Sequence, residues 1–126
     1  MLFRSEDAEE AARTGAQALV VSNHGGRQLD GAPSSIEALP EIVDAIGSQM
    51  EIMFDGGIRS GQDVMRALAL GAQSCMIGRA YIHGLGAYGG PGVDKALDIL
   101  RNELSVTMGL CGVNTIAEID DHVLAI

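Results

Sequence analysis

The chain is poor in positive charge: eight Lys and Arg stand against 17 Asp and Glu in 126 residues, a formal net charge of −9 at pH 7. That balance favours solubility and argues against nucleic acid or an anionic membrane surface as partner. Any anion bound by this chain has to be held by local groups. Cysteine is scarce as well. Cys75 and Cys111 lie far apart, and Cys75 sits in an apolar run, so buried, unpaired thiols in a reducing compartment are expected rather than a disulfide. Long apolar runs are missing. The purest pieces, such as Ala18-Leu19-Val20-Val21, fall far short of the roughly 20 residues needed to cross a bilayer. The opening Met1-Leu2-Phe3-Arg4 turns acidic at once and lacks the apolar stretch of a secretory leader. These absences point to the cytoplasm, with any membrane association peripheral, at the inner membrane.

What the chain does have is 47% hydrophobic residues, enough for a core in one domain. Residues 5–14 read as a helix, with Ser5 as its cap, Glu6, Asp7 and Glu9 at its positive end, and Gly15 to stop it. Residues 18–21 form a short strand. A second helix opens at Ser34, where Ser34 and Glu37 fit a capping box, and Pro40 is expected to break or restart it. Strands are expected at 52–54 and 74–77, a helix at 62–70, and a long helix near 93–108 after a mobile glycine-rich loop spanning 84–92. Gly15-Ala16-Gln17 and Gly71-Ala72-Gln73 each follow an alanine-rich helix and precede a strand, so one structural unit recurs. Short apolar strands alternating with helices imply a parallel sheet covered by helices, either a barrel or an open doubly wound sheet.

The polar, glycine-rich segments all follow strands: residues 22–27, 55–59 and 78–79. In parallel βα architectures that edge of the sheet binds ligands, and barrels commonly hold a phosphate there with backbone amides and a helix N-terminus. Asp55-Gly56-Gly57-Ile58-Arg59-Ser60-Gly61 reads as a phosphate cradle, with the positive end of the following helix aimed at it. Arg59 and Arg79 add two guanidinium forks. Glycines that merely turn the chain and solvated arginines are the plainer alternative. His24 and Arg27 share a loop opened by Gly25 and Gly26, a pairing suited to a 2-hydroxy acid: the imidazole can take a proton and the guanidinium can fix a carboxylate. A hydrogen-bonded loop histidine beside a salt-bridged arginine is the alternative there. Met50, Met53, Met65, Met76 and Met108 are expected to fill core gaps; Tyr81 and His83 follow Arg79 closely enough to line the site's rim, but are expected rather to pack at a helix start.

The run Ser22-Asn23-His24-Gly25-Gly26-Arg27-Gln28-Leu29-Asp30 resembles the active-site signature of the FMN-dependent 2-hydroxy-acid dehydrogenases and oxidases, the family of glycolate oxidase and L-lactate and mandelate dehydrogenases. The stretch from Asp55-Gly56-Gly57-Ile58-Arg59 through Gly78-Arg79 is similar to that family's flavin phosphate segment, though other phosphate-binding barrels carry like runs. The resemblance runs from about Glu6 to about Asp120. It implies that residues 1–126 are the C-terminal part of a (β/α)8 TIM barrel, three or so βα units. It implies His24 as catalytic base, Arg27 as carboxylate binder, Asp55 on the flavin ribityl chain, and Gly56, Gly57, Arg59, Gly78 and Arg79 around the FMN phosphate, with no metal. The reaction implied is oxidation of an L-2-hydroxy acid to a 2-oxo acid, with oxygen, a quinone or a cytochrome as electron acceptor.

A complete barrel needs about 250 residues. The family's lysine near the flavin, its substrate tyrosines and the aspartate that orients the base have no counterpart here, and Met1 to Arg4 does not read like the strand and loop expected before the first helix. A fragment inactive on its own is therefore expected, one that self-associates through bare sheet edges or as a homo-oligomer. Two other functions compete. One is a non-catalytic half-barrel that binds FMN or phosphate. The other is a different phosphate-binding barrel, such as an inosine monophosphate dehydrogenase or isopentenyl diphosphate isomerase, against which His24 with Arg27 argues.

Overall fold

A computed structural model of the chain describes residues 4–124. The expectation for Met1 to Phe3 lies outside the described residues. The elements run α1 (Ser5–Arg13), β1 (Ala18–Ser22), α2 (Ser35–Ile46), β2 (Glu51–Asp55), α3 (Gly61–Ala69), β3 (Ser74–Met76) and α4 (Arg79–Leu110), with short 3-10 turns at His24–Gly26, Ile116–Glu118 and Asp121–Val123. This is the expected alternation of helix and strand. The three strands form one parallel sheet in the order β1-β2-β3. Sequential order with helical crossovers, which are right-handed in parallel sheets, sends successive helices to the same face.

That face is where the core lies. Side chains alternate across a strand, so Leu19, Val21, Ile52 and Phe54 point one way and are buried. They meet Leu39, Ile42 and Ile46, spaced three and four residues apart along α2 and all fully buried. Ala8 of α1 packs into the same cluster, and Met65 and Ala69 of α3 join Val113 and Ile119 in a second, smaller one. The opposite face of the sheet carries Ala18, Val20, Ser22, Met53, Asp55, Ser74 and Met76; Ser22 is buried, most of the others are half-buried, and Met76 is 47% exposed. Met50 and Met65 fill the core as expected. Met76 does not, because it ends an edge strand on the open face.

Three local expectations need correction. Ser5 does not cap α1; Arg4 occupies the cap position, and the Ser5 hydroxyl donates to the Glu41 carboxylate of α2 at 2.7 Å. Pro40 neither breaks nor restarts α2, which runs through it. A mid-helix proline costs about 3 kcal/mol, a penalty of the same size as the burial of one or two side chains such as Leu39 and Ile42 at about 1.5–3 kcal/mol each. The glycine-rich stretch 84–92 is not a loop but part of α4, which bends sharply at Tyr88 and Gly89, where the dihedrals leave the helical region. Its glycines let the two arms of the bend touch: a Cβ on Gly84 would lie 2.8 Å from the Gly92 carbonyl carbon, and one on Gly92 would lie 2.7 Å from that of Gly84. The recurring Gly-Ala-Gln unit has a structural basis. Gly15 and Gly71 both adopt positive φ, 83° and 99°, to turn the chain from helix to strand.

The two cysteines differ in accessibility, where two buried thiols were expected. Both are unpaired, but Cys111 is exposed at the end of α4, whereas Cys75 is half-buried in β3 and burial pushes its thiol up to about 11. Only thiolate reacts with disulfide reagents. In the native chain at pH 8, one thiol per chain, Cys111, is therefore expected to react quickly with such a reagent, and Cys75 only after unfolding. Two equally fast thiols in the folded chain would contradict this placement.

Candidate functional site

The parallel register sets the site. Ser22 pairs with Asp55, and Asp55 with Met76, so the three strands end level and their loops emerge side by side. Those loops enclose a cleft of about 220 Å3 lined by His24, Arg27, Asp55, Gly56, Gly57, Arg59, Gly78 and Arg79, with Gly25, Ile58, Met76 and Ile82 between them. All eight residues singled out from the sequence thus meet in one place. The volume falls below the roughly 300–1,000 Å3 of a complete small-molecule pocket, as expected of one wall of a site.

The loop after β1 is held in an uncommon conformation. His24, Gly25 and Gly26 all have positive φ, at 52°, 71° and 71°. For His24 this left-handed geometry costs on the order of 1–2 kcal/mol. Two hydrogen bonds secure it, from the His24 N–H to the Ser22 hydroxyl at 3.1 Å and from the Gly26 N–H to the Asn23 carbonyl at 3.0 Å. Among the described residues no side chain hydrogen-bonds to the His24 imidazole, which is exposed. The Ser22 hydroxyl in turn donates to Asp55 Oδ2 at 2.5 Å. Gly56 follows with φ of 132°, and the place a Cβ would take there is occupied by the Ser35 hydroxyl of α2.

Electrostatics distinguish the cleft from the rest of the chain. Among the described residues Arg4, Arg13, Arg66 and Arg101 are each paired with an acidic side chain on the same helix or beside it. Among the described residues Arg27, Arg59 and Arg79 have no such partner, nor has Lys95 of α4, and the three arginines all line the cleft. The Arg79 guanidinium reaches the loop after β1, with Nη2 3.3 Å from where a Gly25 Cβ would stand. Arg59 and Arg79 also border a second cleft, of about 520 Å3, together with His83 of α4. His83 and Tyr81 are exposed, so they do not pack a helix start as expected.

One element of the expected phosphate cradle is largely occupied by the chain's own side chains. Amides leading into α3 are already taken: Arg59 and Ser60 N–H donate to Asp63 Oδ2 at 3.1 and 2.9 Å, and Gly61 N–H to Glu103 Oε2 at 2.8 Å. The capping pair Ser60 and Asp63, with Glu103 reaching across from α4, leaves Gln62 N–H as the one amide at that helix start without a hydrogen-bond partner among the described residues. The other helix end at the cleft differs. α4 starts at Arg79 with Gly78 before it and no side-chain cap, so its opening amides lack a side-chain partner, and both Gly78 and Arg79 line the cleft. No sequence signal separated these two helix starts except the Ser60-x-x-Asp63 spacing, which reads as a cap. The apolar lining from Ile58, Met76 and Ile82 was also missed; Met76 and Ile82 flank Gly78-Arg79 in sequence. Among the described residues no three His, Cys, Asp or Glu side chains gather as metal ligands, and no helix is long and apolar enough to cross a membrane.

Parallel strands ending level at a cationic, glycine-lined cleft define a class: an α/β protein with an anion-suited site at the C-terminal edge of its sheet. The chain belongs to the FMN-dependent dehydrogenase family, whose model matches residues 2–126. It is 54% identical over 120 residues to an L-lactate dehydrogenase of Caulobacter sp. (strain K31), covering 95% of this chain and 32% of that protein. It is 49% identical over 123 residues to an L-lactate oxidase of Nostoc sp. (strain PCC 7120), covering 98% of this chain and 34% of that protein. A crystal structure of mandelate oxidase with benzoyl-formic acid superposes with a TM-score of 0.91 at 46% identity, over 95% of this chain and 36% of that one. The chain spans about a third of the length of the curated relatives it matches.

The cap of α3 gives a pH-dependent prediction. Burial raises the Asp63 carboxyl, but hydrogen bonds from the Ser60 hydroxyl and the Arg59 and Ser60 amides, with the charge of Arg66, outweigh it and hold the group below its usual range. A carboxyl depressed in the folded state stabilises the fold above its unfolded pKa of about 3.9, and the contribution is lost as pH falls through the folded value. Ser60→Ala should cost about 1 kcal/mol at neutral pH and flatten the loss of stability below about pH 4. Urea unfolding at several pH values reads both. An unchanged acid limb would show that Asp63 is not held by this cap.

Proposed function

We propose that this chain is the C-terminal sector, residues 1–126, of a (β/α)8 barrel that oxidises an L-2-hydroxy acid to a 2-oxo acid with FMN. The observation that carries the reading is the gathering of Arg27, Arg59 and Arg79, each without an acidic partner, in one cleft of an acidic chain. The sequential order of the three parallel strands and the superposition on mandelate oxidase support the barrel sector. The relatives' names, lactate dehydrogenase, lactate oxidase and mandelate oxidase, support a 2-hydroxy acid as substrate.

The residues present fit the cofactor. Arg59 and Arg79 would bind its phosphate through charge-assisted hydrogen bonds, beside the open amides at the start of α4. Gly57 and Gly78 have no atom within 4 Å of where a Cβ would stand, so a ligand can approach their backbone. Asp55 would meet the ribityl hydroxyls, with Gly56 letting the chain turn beside it. FMN, when bound, supplies the acceptor for the two electrons that leave the substrate carbon. Arg27 would pair with the substrate carboxylate and fix its orientation, and the His24 imidazole would take the proton released. Electrons leave finally to oxygen, a quinone or a cytochrome.

The unsupported imidazole of His24 favours a second reading for the 126 residues by themselves: a piece that binds the cofactor without turnover. We place the protein in the cytoplasm, which two unpaired cysteines support, and assign its bare sheet edges, β1 and β3, to association with the rest of a barrel or with a second copy.

Titrating the purified chain with FMN and with riboflavin, followed by flavin fluorescence, tests the reading. FMN should bind more tightly than riboflavin, and Arg59→Ala or Arg79→Ala should each weaken FMN by about tenfold or more while leaving riboflavin unaffected. No binding at high micromolar FMN, or equal binding of the two flavins, would sink it.

A further inference from the structure

Ser22 is one of two polar residues among the buried ones, 5% exposed, and its hydroxyl both donates and accepts. It donates to Asp55 Oδ2 at 2.5 Å and accepts from the His24 N–H at 3.1 Å. A hydroxyl has a single proton. With that proton given to the carboxylate, the direction of the chain is fixed: His24 N–H to Ser22 hydroxyl to Asp55 carboxylate. A charged acceptor at the end polarises the hydroxyl and makes its oxygen a better acceptor for the amide behind it. The amide at the start belongs to the one residue other than glycine with positive φ among the described residues, at 52°.

The surroundings leave this chain little slack. Ser22 and Asp55 are direct partners in the register of β1 and β2. Gly56, next to Asp55, has the Ser35 hydroxyl where its Cβ would be and Asn23 Oδ1 3.5 Å from that point. Asn23 Oδ1 and the Ser35 hydroxyl therefore stand around the Gly56 backbone, leaving no room for a side chain between the two loops.

We propose that Ser22 is a positioning residue, whose buried hydroxyl ties the left-handed backbone of His24 to the Asp55 carboxylate, so that filling the cofactor cleft and presenting the base are coupled. This rests on the reading of the cleft as an FMN site with His24 as base. A hydroxyl that merely joined two strands would leave His24 indifferent to what Asp55 contacts.

The test uses the full chain, labelled with 15N, as wild type, Ser22→Ala, Ser22→Thr and Asp55→Asn, with hydrogen exchange at the His24 amide followed with and without saturating FMN. In the wild type the His24 amide is expected to be protected, and more so with FMN. Ser22→Ala should speed its exchange about tenfold, the loss of one hydrogen bond, and abolish the response to FMN. Ser22→Thr, which keeps the hydroxyl, should restore both. Exchange in Ser22→Ala equal to wild type, or a response to FMN that survives the substitution, overturns the proposal. If the wild type takes up no FMN, the cofactor reading is what fails. Asp55→Asn then decides the coupling, as it does if Ser22→Ala does not fold: weakening the acceptor should speed His24 exchange, and unchanged exchange overturns the proposal.

Discussion

Everything the cleft can do depends on the parallel register of three short strands. Because Ser22, Asp55 and Met76 lie in one row, the segments that follow them leave the sheet at the same height and face one another. A slip of one residue between β1 and β2 would turn Leu19 and Val21 away from Leu39, Ile42 and Ile46 and into solvent. The core thus enforces the register, and the register enforces the site. The link is direct at Ser22, whose neighbour Val21 is fully buried while its own hydroxyl meets Asp55.

Charge is the second organising constraint. The helices carry acid and base as local pairs, such as Arg13 with Glu9 and Glu10, which add little stability at an exposed surface but neutralise each other. The cleft arginines lack that compensation. Their field therefore stays available to an anion, although the whole chain is acidic. The two helix starts beside them share out the work. α3 is closed by its own cap and by Glu103, which fixes Arg59 at the end of its loop, while α4 keeps its first amides open next to Arg79.

Much of this was legible in the sequence. The order of helices and strands followed from short apolar runs between amphipathic ones, and the eight site residues from their position just after strands. What escaped was tertiary in origin. Pro40 could not be read as tolerated without knowing that Leu39 and Ile42 are fully buried around it. The glycines at 84–92 looked like a loop because glycine is flexible in isolation; their role is to let two arms of α4 cross at Gly84 and Gly92. Ser22 drew no attention as chemistry, since a hydroxyl acquires its meaning only from the cross-strand partner that the register supplies. Glu103 was silent for the same reason: it lies 42 residues from the amide it occupies.

Three loops at one sheet edge should thus act as a single anion-suited site in this chain. Mapping amide chemical-shift changes along the chain on addition of FMN tests it most directly. The largest changes are expected in residues 24–27, 56–59 and 78–80, at the ends of all three strands. Changes concentrated on α1, or around Cys111 at the far end of α4, would contradict it.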